Sequence, residues 1–120
     1  CEGTEKLLAQ RRPPSPIFAS NDDMAAAAIS VAHRRGLDVP RDLSIVGFDD
    51  TSAATTVWPE LTTIRQPIAS MADSAIDILL RSIRRKERST RVVVDHVVAH
   101  QLVTRDSVAP PAKRGKPARR

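Results

Sequence analysis

The chain has 120 residues, 41% of them apolar, with 19 Lys/Arg against 14 Asp/Glu and a formal net charge of +5. That length suits about one domain with a mostly aliphatic core, and two Phe, one Trp and no Tyr leave too few rings for recognition of nucleic acid by base stacking. One cysteine excludes an internal disulfide framework and a cysteine-built zinc site, which fits a reducing compartment.

In chain order, TEKLLAQRR (4–12) reads as the last turns of a helix, and the prolines of PPSP (13–16) stop it. IFAS (17–20) is a short apolar run suited to a buried strand. Ser20, Asn21 and Asp22 then offer capping oxygens. The helix they open runs from about Asp23 to Arg35, with Met24, Ala27, Ala28 and Val31 on one face and Gly36 as its stop. LDVPRD (37–42) is a loop and LSIVGF (43–48) a second buried strand. TSAATTV (51–57) makes a short helical turn that Asp50 or Thr51 could cap. WPEL (58–61) is a turn and TTIRQ (62–66) a strand, after which Pro67 opens a helix. In that helix Ile68, Met71, Ala72, Ala75, Ile76, Leu79, Leu80 and Ile83 form one stripe of the kind that is buried, continuing to about Arg84. RRKERSTR (84–91) is a solvated turn. Val92–Ala99 and Gln101–Thr104 are β-branched runs that read as two strands with a bend near Ala99–His100, and SVAPP (107–111) closes the folded part.

The excess positive charge is local. AKRGKPARR (112–120) holds five basic residues, which leaves 14 basic and 14 acidic groups in the other 111 positions. A segment so short and polar reads as a disordered tail, or, more sharply, as a weak contact for nucleic acid. No apolar run approaches the ~20 residues of a membrane span. No secretory signal is visible, and a start at Cys1 rather than Met suggests a fragment or a processed product.

Apolar strands alternating with amphipathic helices predict an α/β fold with a parallel sheet covered on both faces. Ligands of such sheets sit at the carboxyl ends of the strands. SND (20–22) and DDT (49–51) fall there, so their polar groups are expected to face a crevice rather than the core. Asp22–Asp23 and Asp49–Asp50 could together suit a divalent cation. Adjacent residues of an extended chain point to opposite sides, however, so each pair supplies about one inward carboxylate. His96 and His100 would stand roughly 13 Å apart on a strand, too far for joint ligation. No nucleophile elbow and no phosphate loop occurs. The expectation is therefore no metal, no cofactor and no enzyme activity. What remains is a crevice lined by Asn21, Asp49 and Gln66, a carboxylate and two amides suited to a hydroxyl-rich or amino-bearing ligand. Asn21 and Asp49 could equally cap the helical segments that follow them, and the two roles are compatible.

Four blocks, ASNDDMA (19–25), VPRDLSIVGFDDT (39–51), WPELTTIRQP (58–67) and LVTRDSVAPP (102–111), together resemble the C-terminal part of the effector-binding domain of lactose/galactose-repressor (LacI/GalR) family transcription regulators. The resemblance implies a periplasmic-binding-protein-like fold of two α/β lobes. Residues 1–65 and 100–111 would belong to the C-terminal lobe and 66–99 to a return segment of the N-terminal lobe. It implies a sugar- or nucleobase-like effector contacted by Asn21, Asp49 and Gln66, with Asp50 the structural member of its pair. It implies a homodimer packed through Met24, Ala27, Ala53, Thr56 and Val57. Operator DNA would be reached only through a helix-turn-helix that these 120 residues do not contain, and the setting would be cytoplasmic, without a membrane. A fragment of this kind would leave the apolar helix of 66–99 exposed. The alternative on the same scaffold is part of a sugar-type solute-binding protein of a transport system.

Overall fold

The computed structural model describes residues 2–84 and 96–111. The expected turn at 85–91, the start of the 92–99 run and the basic tail lie outside the described residues. The element order is α1 (Glu2–Leu8), β1 (Pro16–Phe18), α2 (Asp22–Arg34), β2 (Ser44–Val46), α3 (Ala53–Thr56), β3 (Thr63–Arg65), α4 (Ile68–Arg84) and β4 (Gln101–Val103). The chain divides into two compact units, Cys1–Arg65 with Leu102–Arg120, and Gln66–Gln101.

In the first unit β1 and β2 pair in parallel, with Ile17 opposite Ile45, and a parallel bridge from Val46 to Thr62 carries the sheet toward β3. β3 in turn pairs with β4. Where β2 and the chain before β3 diverge, Ser107 fills the ladder. Its hydroxyl donates to the Ile45 carbonyl (2.5 Å) and accepts from the Thr62 amide (2.9 Å), while its own carbonyl accepts from the Ile45 amide (2.9 Å). A fully buried serine is thus satisfied by standing in for backbone.

The core gathers Ala19, Ala25, Ala28, Ile29, Ala32, Val39, Leu43, Ile45, Ala54 and Leu61, with Leu8, Ile17, Leu37 and Val57 packed on its edge. Burying an Ile or Leu of this set contributes about 1.5–3 kcal/mol. The alanines of α2 let the helix lie close on the sheet. At Gly47 that closeness is extreme, because an added Cβ would overlap the Asp22 carboxylate and the Leu61 side chain. α2 ends in a Schellman turn: the Leu37 amide bonds the Ala32 carbonyl and the Gly36 amide the His33 carbonyl, with Gly36 at φ +72°.

Three expectations are corrected. The buried face of α2 is Ala25, Ala28, Ile29, Val31 and Ala32, and Met24 is 52% exposed. Residues 96–100 form no strand. β-branched content needs a paired neighbour to become a ladder, and among the described residues it has none. The stripe of α4 is not buried, against its periodicity and as the resemblance implied for a fragment: Ile68, Met71, Ala72, Ala75, Ile76, Leu79, Leu80 and Ile83 are all exposed. α4 is the only helix of the second unit among the described residues, so its amphipathic pattern has no layer within that unit to pack on.

Candidate functional site

The carboxyl ends of β1 and β2 are neighbours in a parallel pair, so the loops that leave them share one edge of the sheet. Asn21 leaves the first of these ends. Its extended backbone (φ −155°) starts α2, and its Oδ1 accepts from the Met24 amide at 2.8 Å, so the capping role is present. The side-chain amide of a capping Asn keeps its donors for other partners.

Asp22 is fully buried, against the expectation that this acid pair faces a crevice. Its Oδ2 accepts from the Thr51 amide (2.6 Å) and hydroxyl (3.2 Å), and its Oδ1 from the Thr63 hydroxyl (2.6 Å). One carboxylate therefore ties the loop after β1 to the loop after β2 and to β3. Its contact positions are 29 and 41 residues away in sequence.

Asp49 and Asp50 both have positive φ, 103° and 56°. Two consecutive non-glycine residues in that region cost about 1–3 kcal/mol each and persist only where the surroundings over-determine them. The determinants are visible. The Asp49 amide donates to the Ile64 carbonyl (2.9 Å), and the Thr51 amide is held by Asp22. Between them the Asp50 carboxylate, 6% exposed, is gripped by Arg65 Nε (2.5 Å) and Arg105 Nη2 (2.7 Å). Arg105 is itself fixed, with Nη1 on the Leu61 carbonyl and its amide on the Thr62 hydroxyl. The hydrogen bond from Arg105, joined by that of Arg65, holds the Asp50 carboxyl below the usual carboxylate range although burial acts in the opposite direction. The expected capping of the next turn by Asp50 is not found. α3 starts at Ser52 with no side-chain cap, because the Asp50 oxygens are committed to guanidinium groups.

Asp49 is half-buried at the carboxyl edge of β2, and Gln66, also half-buried, is the first residue of the second unit. Phe18 ends β1 and is 64% exposed, meeting Phe48 edge to face at a centroid distance of 6.5 Å. Sequence reasoning missed Thr63, Arg65, Arg105 and the phenylalanine pair, and it named Asp22 and Thr51 only as local caps, not as the long-range partners they are. Only the doubling of acids in NDD and FDD hinted that one member of each pair was structural. Of the five expected interface residues, Met24 and Thr56 are exposed and Ala27, Ala53 and Val57 half-buried, on helices α2 and α3, which pack together. Among the described residues no cluster of His, Cys, Asp and Glu could hold a metal ion, and no helix is long and apolar enough to cross a membrane.

Residues 2–108 match the model of the periplasmic binding protein-like domain. The HTH-type transcriptional regulator MalR of Clostridium butyricum is 41% identical over 88% of this chain and 30% of its own length. The lac repressor dimer bound to operator and the anti-inducer ONPF superposes with a TM-score of 0.78 at 28% identity, over 91% of this chain and 37% of the repressor chain. A complex of the transcriptional regulator CelR with cellobiose gives 0.77 at 28% identity, over 88% of this chain and 32% of that regulator. The chain thus spans about a third of the length of the regulators it matches. The matched relatives are transcription regulators, and the parallel sheet with flanking helices is theirs. The chain belongs to the periplasmic binding protein-like domain family, in its LacI/GalR-type branch.

Proposed function

We propose that this chain is the effector-sensing and dimerising portion of a cytoplasmic, DNA-binding transcription regulator that is not an enzyme. In this reading a small sugar-like effector is held between two lobes of the parent domain, with residues 1–65 and 100–111 in one lobe and 66–99 returning through the other. Asn21, Asp49 and Gln66 contact the effector. Met24, Ala27, Ala53, Thr56 and Val57 meet a second copy, and operator DNA is bound by a separate helix-turn-helix.

The observation that carries the reading is the strained Asp49–Asp50 pair at the carboxyl end of a parallel strand. Left-handed backbone at two aspartates is costly, and such strain concentrates at ligand sites. One acid is neutralised by two arginines, and its neighbour is set at the edge where parallel sheets bind ligands. A carboxylate and amides suit vicinal hydroxyls. The exposed Phe18 ring at the same edge offers the flat apolar surface that the ring face of a sugar prefers. The cellobiose held by CelR is a sugar of the proposed class.

The test is operator binding by a regulator carrying this segment, titrated with a panel of mono- and disaccharides. One sugar should shift operator affinity by about 5–150-fold. Asp49→Asn, which keeps the tolerance of positive φ but removes the charge, should abolish that shift while leaving operator binding without sugar unchanged. A variant that still responds normally would remove Asp49 from the site.

A further inference from the structure

We propose that Asp50 is the positioning residue of this site: its buried carboxylate, shared by Arg65 and Arg105, holds the backbone of Asp49 and both passages of the chain between its two units in one register. Three observations converge. First, the two arginines flank those passages. Arg65 is the last residue before the chain enters the second unit at Gln66, and Arg105 lies just after its return at Leu102. Second, the carboxylate is nearly sealed (6% exposed) and touches one arginine with each oxygen, so neither bond can be lost without leaving charge poorly compensated. Third, its own backbone is left-handed and adjoins Asp49 at φ 103°, so the clamp fixes the residue next to Asp49, while Asp22 holds the Thr51 amide on the other side of Asp50.

The consequence is mechanical. Asp49 cannot relax to ordinary backbone geometry without dragging Asp50 off Arg65 and Arg105. Conversely, a shift of either passage pulls on the carboxylate next to Asp49. Such a shared two-bond clamp is a physical route by which occupancy at Asp49 biases the connections between the units. That last consequence rests on the effector role proposed for Asp49. The clamp itself does not.

The decisive experiment uses the 120-residue chain without ligand, so its outcome is independent of the effector assignment. Amide hydrogen exchange is followed by NMR in the native chain and in Asp50→Asn, which keeps the shape and the tolerance of positive φ but removes the charge. Exchange at the Asp49 amide (bonded to Ile64) and the Arg105 amide (bonded to Thr62) should accelerate together, by at least about tenfold. The Ala19 and Leu37 amides, bonded within β1–β2 and at the end of α2, should stay within about twofold. Unchanged rates at Asp49 and Arg105, or equal acceleration at all four amides, would overturn the proposal. Should Asp50→Asn fail to fold, Arg65→Gln decides. The shared clamp requires it to speed exchange at the Arg105 amide, and acceleration confined to its own strand would reduce each arginine to an independent surface pair.

Discussion

At the scale of single residues, each acid pair of this chain commits one member to structure, Asp22 in the core and Asp50 between two arginines. Asp22 shows this most sharply. It accepts three hydrogen bonds inside the core, and a change to Asn would turn an amide toward donors that need an acceptor. Leaving a buried donor unsatisfied costs about 1–3 kcal/mol, more when a charge was its partner. Asp22→Asn should therefore destabilise the chain by about 2–3 kcal/mol in urea unfolding monitored by circular dichroism. A loss under about 0.5 kcal/mol would mean that the loops rebuild their bonds elsewhere. Asp50 gives a pH signature instead. Its folded pKa lies below its unfolded value near 3.8 because Arg105 and Arg65 favour the carboxylate. The stability it contributes is then fully present above that value and is lost as pH falls through the lower folded value. Glu60, which also faces Arg105 at 3.7 Å, remains beside the clamp. Acid titration of the native chain should show an unfolding slope below about pH 4 that is shallower in Asp50→Asn. Equal slopes in both proteins would mean that the clamp contributes nothing to acid stability. None of this was readable locally, since Thr63, Arg65 and Arg105 reach their acids from distant parts of the chain.

At the scale of elements, legibility followed the strength of the local pattern. β2 announces itself by the apolar Leu43, Ile45 and Val46, and α2 by an N-capping Asn and a Gly stop that are both realised in the structure. The face that α2 buries was not legible. MAAAAI offers nearly the same volume on every side, and the largest apolar residue in it, Met24, is exposed. Alanine's small size lets α2 approach until Gly47 is the only residue that fits beside Asp22, a constraint set by depth rather than by pattern. Run 96–100 shows the converse failure, in which β-branched residues that find no pairing neighbour among the described residues make no strand. The candidate site was legible as a place, because strand ends in a parallel sheet collect polar residues, and Asn21 and Asp49 were named from that alone. The clamp on Asp50 was not, because ion pairing across such separations leaves no periodic trace in a sequence.

At the scale of the whole molecule, the two apolar surfaces make different demands. α2 and α3 present a small mixed face on which Met24 is the main exposed apolar side chain. α4 presents Ile68, Met71, Ile76, Leu79, Leu80 and Ile83, from 40% to 67% exposed, along 17 residues. An apolar stripe of that length exceeds what monomeric surfaces usually carry and drives association. The stripe was legible as an amphipathic helix, but periodicity states only that a face is apolar, not what covers it. Association of this chain is therefore expected to be dominated by α4 and to pass beyond a dimer, whereas the proposed homodimer through α2 and α3 stops at two. Sedimentation velocity over a concentration series separates the two. The native chain should form a concentration-dependent mixture of assemblies larger than dimers. Ile76→Lys with Leu79→Lys, substitutions that keep high helix propensity, should remove those and leave monomer and dimer. Met24→Lys with Thr56→Lys should leave the large assemblies in place. If instead the second pair dissolves them and the first does not, the sticky surface is the α2–α3 face, and α4 is tolerated in water despite its stripe.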